Sequence, residues 1–242
     1  MGAIYLIRHG QASFAAADYD DLSPLGREQA RVLGFALAAR GVAAQRAICG
    51  GLRRHQQTAD ECLAALARGQ GAEEQVARAA VRSWEEDRGW DEYDHNEVLA
   101  GLDPRYKSQA ALAAEVAAHE HPKRAFQGMF ERAMARWLDG AFHGEYRESW
   151  PAFCARVEDA LARLVARLGR SESALVFTSG GVISVICRKL LELGDTRTLS
   201  LSASLANASV TKLLLGERGV TLSTLNEHAH FEREGKRLIT YR

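Results

Sequence analysis

Two short, uninterrupted apolar runs constrain the fold of this chain more than any other feature. Residues 3–7 read Ala-Ile-Tyr-Leu-Ile, residues 174–178 read Ala-Leu-Val-Phe-Thr, and each run stops at a loop that carries glycine. Runs of this length without polar alternation are typical of parallel strands that helices cover on both faces. We therefore expect both runs to be buried strands that deliver their following loops to one edge of a sheet.

Helical patterns alternate with the strand patterns along the chain. Ser23 and Pro24 form a helix start, and Gly41 is a natural stop for the apolar stripe between them. The other predicted elements are a strand at 46–49, helices at 53–67, 151–168 and 180–193, and a hairpin at 209–225. This alternation predicts an α/β fold, a three-layer α/β/α sandwich with a mostly parallel central sheet.

The segment 84–150 differs from the rest in composition, because it is rich in charged residues and tryptophan. It carries helical runs near 106–119 and 123–139. A chain of 242 residues fits one α/β domain with an insertion. We therefore expect a single domain over residues 1–242, with a helical cap or insertion at about 84–150 above the working edge of the sheet.

Charge and cysteine usage exclude several classes of partner. Lys plus Arg and Asp plus Glu both number 31, so the chain has no general electrostatic reason to bind nucleic acid or an anionic membrane. No apolar stretch reaches the length of a membrane helix. The four cysteines form no CxxC pair, which argues against a disulfide framework or zinc site and predicts a reducing, cytoplasmic location. The oligomeric state is left open, with a homodimer as one option.

Three loops at predicted strand ends carry residues that suit phosphate chemistry. They are Arg8-His9-Gly10-Gln11, the segment 49–54 and the segment 178–181. Ligands of open α/β sheets gather at the carboxyl ends of the strands, and glycine-bearing loops that open helices present N–H groups to anions. Arginine matches phosphate oxygens with a fork of donors, and histidine can attack phosphorus. The sequence therefore predicts a site for a small phosphorylated substrate.

The same segments resemble a known family. Leu6-Ile7-Arg8-His9-Gly10-Gln11, Leu22-Ser23-Pro24-Leu25-Gly26-Arg27-Glu28-Gln29-Ala30 and Leu52-x-Arg54-x-x-Gln57-Thr58-Ala59 closely resemble the histidine phosphatase superfamily, which has the phosphoglycerate mutase-like fold. The resemblance resumes at 174–183 and near 226–231, where Phe231 stands for a leucine of the terminal signature. The middle segment 95–150 matches nothing specific.

The resemblance implies a role for each matching residue. His9 would be the phosphorylated nucleophile, and Arg8 and Arg54 would hold the phosphoryl oxygens. The general acid would be Glu92, which we favour, with Glu85 as the second choice. Further substrate contacts are expected at Gly10, Gln11, Ser13, Gly180 and Glu85. No cofactor and no metal ion is implied.

Two positions depart from the family pattern. Ser179 stands where the family has its second catalytic histidine, and Ala15 stands where an asparagine often follows the first motif. Ser179 can donate a neutral hydrogen bond to phosphate or cap the following helix. Loss of one preorganised, charged donor costs on the order of 3 kcal/mol in the transition state. His55 is expected to face away from Arg54 on the helix, and the alternative is that it lines the pocket.

Three functions follow from these residues. Residues 13–17 read Ser-Phe-Ala-Ala-Ala, where mutases of the family carry Trp-Asn and Gly-Trp elements, so we prefer a metal-independent phosphomonoester hydrolase that works through a phosphohistidine. A phosphoglycerate mutase-type phosphotransferase is the alternative. Ser179 also keeps open a third reading, a phospholigand-binding protein with weakened catalysis.

Overall fold

The described strands form a six-stranded mixed sheet. A computed structural model of the protein describes residues 2–13, 20–80 and 83–241. The strands are β1 Gly2–Arg8, β2 Arg46–Cys49, β3 Glu85–Glu86, β4 Ser173–Thr178, β5 Val210–Gly216 and β6 Gly219–Glu227. The helices are α1 Pro24–Ala39, α2 Arg53–Gly69, α3 Glu74–Ala79, α4 His95–Leu102, α5 Gln109–Ala117, α6 Pro122–Leu138, α7 Trp150–Arg167, α8 Gly180–Leu191 and α9 Asp195–Ser204.

The strand order within the described residues is β3-β2-β4-β1-β5-β6. The pairs β1–β4, β4–β2 and β2–β3 are parallel, whereas β5 pairs antiparallel with both β1 and β6. The predicted α/β fold with a mostly parallel sheet is confirmed, and so is the terminal hairpin. The bounds of β1, β2, β4, α1, α2, α7 and α8 lie within two residues of the prediction.

Side-chain alternation on β1 divides the core between the two faces of the sheet. Tyr5 and Ile7 belong to the buried cluster that includes Leu33 of α1 and Leu63 of α2. Ile4 and Leu6 are equally buried and point to the opposite face. Helix α8 packs against β1 and β6. A strand that is covered on both faces explains why residues 3–7 carry no polar position.

The register of the two central strands places the loops that carry the candidate residues. Arg8 of β1 pairs with Thr178 of β4, and the strands run in the same direction. His9 and Ser179 therefore leave the sheet side by side at one edge. Cys49 of β2 pairs with Phe177, so Gly50 leaves at the same edge.

Residues Tyr93–Arg156 form a compact unit of their own, and the rest of the chain forms the other. The rings of Tyr93, Trp137, Trp150 and Phe153 pack in tilted and edge-on pairs with centroids 4.8–6.0 Å apart, which gives this unit its core. Helix α4 of this unit and helix α9 of the other were not predicted. Within the described ranges, no helix is long and apolar enough to cross a bilayer.

Candidate active site

Backbone hydrogen bonds tie the three strand-end loops together. The His9 N–H donates to the Thr178 carbonyl oxygen at 2.8 Å, and the Gly50 N–H donates to the Phe177 carbonyl oxygen at 3.1 Å. All three predicted loops thus meet at the carboxyl edge of the parallel strands. This is the position at which open α/β sheets bind ligands.

His9 is a buried histidine whose two ring nitrogens have different environments. Its Nδ1 lies 2.7 Å from the Gly10 carbonyl oxygen. A carbonyl only accepts hydrogen bonds, so Nδ1 carries the hydrogen and the lone pair is on Nε2. Burial lowers the pKa of His9 well below its ordinary value, and the positive charges of Arg54 and Arg8 lower it further. The ring of His9 is therefore a neutral imidazole with its lone pair on Nε2.

The backbone of His9 is fixed by a segment that sequence reasoning missed. The His9 carbonyl oxygen accepts hydrogen bonds from the Ala208 N–H and from Asn207 Nδ2, each at 3.2 Å. Asn207 is fully buried, and its Oδ1 accepts from Thr240 Oγ1 at 2.9 Å. The sequence signal for this contact is Asn207 itself, a single amide side chain among the apolar residues of segment 205–208.

Arg8 and Arg54 both lie at the site, but different neighbours orient them. Arg8 Nη1 donates to the Leu205 carbonyl oxygen and, at 3.4 Å, to that of Tyr241. Arg54 is 6% exposed, and its Nη1 lies 2.7 Å from Asp20 Oδ1. Each guanidinium has five N–H donors in a fixed plane, so these bonds set the direction of the remaining donors.

The predicted substrate contacts near His9 use their backbone donors within the protein. The Gly10 N–H donates to Thr58 Oγ1 at 3.1 Å, and the Gln11 N–H donates to Gln29 Oε1 at 2.8 Å. The Ser13 N–H donates to the Asp21 carbonyl oxygen at 2.7 Å. The first loop is thus braced from α1 and α2. Ala15 and most of the segment 13–17 lie outside the described residues.

Ser179 and His55 form a buried pair beside His9. Ser179 Oγ lies 2.6 Å from His55 Nε2, and the His55 and His9 ring centroids are 5.7 Å apart. Both members of the pair are at most 1% exposed. Of the two options for His55, facing away from Arg54 or lining the pocket, the structure shows the second, with its ring beside Ser179 and His9. Helix α2 begins close to the sheet edge, and Gly50 has no side chain, so there is room for the ring of His55; a Cβ on Gly50 would lie 2.4 Å from His55 Nδ1.

The alternative role of Ser179 as a helix cap does not describe this structure. Ser179 is the N-cap residue of α8, but within the described part of the chain its side chain makes no capping hydrogen bond. Ser179 Oγ lies within hydrogen-bond distance of His55 Nε2 instead. Gly180, the first residue of the helix, packs closely: a Cβ there would lie 3.1 Å from Ser202 Oγ and 3.6 Å from Arg8 Nε.

The two candidate acids occupy different environments. Glu92 Oε2 accepts a hydrogen bond from the Gly181 N–H at 2.9 Å, so its carboxyl group lies at the first turn of α8, next to the Ser179 loop. Glu85 lies exposed on the edge strand β3 and forms ion pairs with Arg167 and Arg46. The hydrogen bond from Arg167 lowers the pKa of Glu85, which favours its ionised form. The structure brings Glu92, and not Glu85, to the loops at the strand ends.

No group of three or more His, Cys, Asp or Glu residues is arranged to bind a metal ion within residues 2–13, 20–80 and 83–241. The four cysteines are buried thiols, and burial raises the pKa of Cys49, Cys62 and Cys187. These thiols stay protonated at neutral pH and are poor metal ligands or nucleophiles. The strand-end loops bring together His9, the two arginines, the Ser179–His55 pair and Glu92.

Several solved structures share this fold. A phosphoglycerate mutase from Bacillus anthracis is 18% identical, with a TM-score of 0.60 and 96% of each chain covered. A phosphoserine phosphatase variant from Entamoeba histolytica, in complex with phosphoserine, is 16% identical with a TM-score of 0.63, over 95% of this chain and 99% of that chain. A mycobacterial glucosyl-3-phosphoglycerate phosphatase with inorganic phosphate is 21% identical with a TM-score of 0.60, over 94% and 98%.

A comparison with sequence models of protein families adds direct evidence of ancestry. The model for the histidine phosphatase superfamily (branch 1) matches residues 4–120 and 113–228. No curated protein sequence matches the chain. The family match spans both units and includes His9, Arg54 and the Ser179 loop. The chain belongs to the histidine phosphatase superfamily, branch 1.

Proposed function

We propose that this protein hydrolyses phosphate monoesters without a metal ion, through a phosphohistidine formed on His9. The observation that carries the proposal is the state of His9 in its loop. Its Nδ1 is engaged with the Gly10 carbonyl oxygen, and burial with two nearby arginines lowers the pKa of the ring. This leaves Nε2 unprotonated for attack in a setting that attracts a phosphate dianion.

In the first step, Nε2 of His9 forms a bond to phosphorus while the bond from phosphorus to the ester oxygen breaks. Arg8 and Arg54 neutralise the phosphoryl oxygens as the group moves. The electron pair of the broken bond stays on the leaving oxygen, which takes a proton from Glu92. Oε2 of Glu92 accepts the Gly181 N–H, so the transferred proton is placed on Oε1.

In the second step, the Glu92 carboxylate accepts a proton from a water molecule. The water oxygen then bonds to phosphorus, and the bond from phosphorus to Nε2 breaks. Inorganic phosphate leaves, neutral His9 is restored, and Glu92 is again protonated. One carboxyl group serves as acid and then as base, so no further titrating group is required.

The fold relatives are consistent with this chemistry. Two of them are named as phosphatases, of phosphoserine and of glucosyl-3-phosphoglycerate. Both substrates are phosphate monoesters of small polar molecules. We therefore expect the natural substrate of this protein to be a small phosphorylated metabolite.

The test is hydrolysis of 4-nitrophenyl phosphate in the presence of EDTA. We expect turnover by the wild-type protein, loss of turnover in His9→Ala, and acid-labile phosphate on the protein after rapid quenching. His121→Ala, which removes an exposed histidine, is the matched control and should keep full activity. Equal turnover by wild type and His9→Ala would refute the proposal. Interconversion of 3- and 2-phosphoglycerate would instead assign the mutase reaction.

A further inference from the structure

We propose that His55 is a positioning residue for phosphoryl transfer, which donates a hydrogen bond from Nε2 to Ser179 Oγ and thereby directs the Ser179 hydroxyl toward the phosphoryl group. The pair would do together what a single histidine at position 179 does in the family pattern. This inference rests on the proposed function, since it assigns a role at the same site.

The contact between the two side chains is short and shielded from water. Nε2 and Oγ are 2.6 Å apart, and both residues are at most 1% exposed. A polar group at this depth is costly unless its hydrogen bond is made, and the bond between them is correspondingly strong. This hydrogen bond therefore fixes the orientation of each side chain relative to the other.

The surroundings of the His55 ring determine which nitrogen carries the hydrogen. Nδ1 faces Gly50 and has no hydrogen-bond partner among the residues that the structure describes. Burial and the charge of Arg54 hold the pKa of His55 well below its usual range, so the ring has one hydrogen. An orphaned buried N–H is rarer than an orphaned acceptor. The hydrogen is therefore placed on Nε2, where Ser179 Oγ receives it.

This tautomer decides what Ser179 can do. A hydroxyl has one donor and two acceptor sites, and one acceptor site is occupied by the His55 N–H. The O–H is then left to donate to another group. Ser179 is the first residue after β4, and His9 is the first after its parallel partner β1. The phosphoryl group that His9 receives is the acceptor that this arrangement favours.

The sequence carries the same relationship. Position 179 is where the resemblance expects a histidine, whereas position 55 is one of the unspecified residues in Leu52-x-Arg54-x-x-Gln57. One histidine is missing from the loop after β4, and another enters the site from the first turn of α2. The substitution at 179 is thus accompanied by an imidazole within hydrogen-bond distance.

The first experiment measures the tautomer directly. Ring 15N spectra of the wild-type protein should show His55 with hydrogen on Nε2 at pH 7. Addition of inorganic phosphate, or of orthovanadate as a mimic of the transferring group, should shift the His55 signals. A hydrogen on Nδ1 would overturn the proposal. So would phosphate trapped on Ser179 after rapid quenching, because both results mean that Ser179 donates to His55.

The second experiment compares two side chains of similar length at position 55. Gln keeps a terminal N–H donor and Met does not. We expect His55→Met and Ser179→Ala each to lower kcat about 10- to 100-fold with KM changed less than about threefold, since one preorganised donor is lost. His55→Gln should retain at least about a third of the wild-type kcat. The double variant His55→Met/Ser179→Ala should be no slower than the slower single variant.

A third variant tests the exchange of roles. Ser179→His in the His55→Met background places the imidazole where the family pattern has it, and kcat should recover at least about tenfold. Multiplying effects of His55→Met and Ser179→Ala, or wild-type kcat in His55→Met, would overturn the proposal. Thermal unfolding of each variant checks that it folds. If His55→Met does not fold, the proposal is tested by kcat of His55→Gln and of Ser179→Ala together with the tautomer of His55 in the wild type. A hydrogen on Nδ1, or wild-type kcat in Ser179→Ala, would then overturn it.

Failure of this inference can be told apart from failure of the proposed function. If the wild type shows no turnover that depends on His9, the hydrolase proposal fails. The tautomer and the affinity for orthovanadate, compared between His55→Gln and His55→Met, still test the orientation of Ser179. Equal affinities in the two variants would then count against it.

Discussion

The Glu92 carboxylate accepts the backbone N–H of Gly181 at 2.9 Å, which anchors this acid at the first turn of the helix that follows Ser179. Glu85, seven residues earlier, is held by Arg167 and Arg46 on the edge strand. Both glutamates stand in acidic segments that contain tryptophan, and only the family resemblance favours Glu92. Their hydrogen-bond partners separate them, and this leads to a prediction that distinguishes their roles.

We expect Glu92→Gln to lower kcat for an alkyl phosphate by a factor on the order of 10² to 10⁴, because an amide cannot protonate the leaving alkoxide. The loss should be smaller for 4-nitrophenyl phosphate in the first step, since its phenolate leaves without a proton. Burst kinetics with both substrates, combined with the trapped phosphohistidine, separate the two steps.

Glu85→Gln is the matched control for this substitution. It removes a charge from an exposed ion pair, and such pairs contribute only about 0–1 kcal/mol to stability. We expect kcat within about twofold of wild type for both substrates. A larger loss in Glu85→Gln than in Glu92→Gln would reverse the assignment of the acid.

A second prediction concerns the neighbouring arginines at the start of α2. Arg54 is buried beside Asp20, whereas Arg53 is about half exposed and forms an ion pair with Asp21. Arg54→Lys should lower kcat/KM at least about 100-fold, because an ammonium cannot reproduce the planar fork that holds phosphate oxygens. Arg53→Lys should stay within about threefold. Steady-state kinetics test both variants, and similar losses would show that charge alone, without fork geometry, is sufficient.

Local patterns predicted the strands and loops of this site but not the side chains that contact Ser179 and the His9 backbone. The runs at 3–7 and 174–178 and the Ser23-Pro24 helix start are decided by neighbouring residues, and their elements form as expected. Helix α9 was missed because its sequence, Asp-Thr-Arg-Thr-Leu-Ser-Leu-Ser-Ala-Ser, is rich in residues of low helix propensity. Its backbone order comes from tertiary packing, including contacts with α8.

The contributions of His55 and Asn207 could not be predicted, for a related reason. Which way His55 points depends on where α2 starts relative to the sheet edge and on the absence of a side chain at Gly50. Asn207 reaches the His9 carbonyl oxygen across 198 residues of sequence. Neither distance is encoded in a spacing rule, whereas the first-loop residues and Arg54 stand within motifs of fixed order.

The third prediction uses the buried histidines as sensors of pH. Burial is the main cause of the lowered pKa of His9, His55 and His230, and that of His230 is about 4. In the unfolded chain these rings have pKa values near about 6.5. At a pH between the lowered pKa of the folded state and the ordinary pKa of the unfolded chain, the unfolded state binds more protons than the folded state. Acid therefore lowers the free energy of unfolding. Each ring contributes up to about 1.4 kcal/mol of unfolding free energy per pH unit.

Urea denaturation at pH 6 and pH 5 measures this effect, since most carboxylates stay ionised in that window. The unfolding free energy should fall with acid in the wild type. The fall should be smaller by as much as about 1.4 kcal/mol in His55→Gln. A pH dependence in His55→Gln equal to that of the wild type would mean that His55 takes up a proton as readily in the folded protein as in the unfolded chain.

The last prediction concerns the close approach of two backbones beneath His9. A Cβ on Gly10 would lie 2.3 Å from the Gly26 carbonyl oxygen, and a Cβ on Gly26 would lie 2.2 Å from that of Gln11. Both obstacles are backbone atoms, so no side-chain rotation relieves them. Gly10→Ala and Gly26→Ala should each destabilise the fold by at least about 1–3 kcal/mol, as overpacked sites do.

Their effects should be less than additive, because separation of the loop from α1 in one variant makes room for the second methyl group. Folded Gly10→Ala should also lose about 100-fold in kcat, since a shift of about 1 Å misplaces Nε2 of His9. Gly128→Ala in α6 is the control: apart from the adjacent backbone of its own helix, no atom of the described residues lies within 4 Å of a Cβ there, so alanine should stabilise the helix by about 0.5–1 kcal/mol. Urea midpoints and kcat are measured for Gly10→Ala, Gly26→Ala, the double variant and Gly128→Ala. Wild-type stability in Gly10→Ala would show that the loop can move away from α1 without cost, and that its position does not depend on the two glycines.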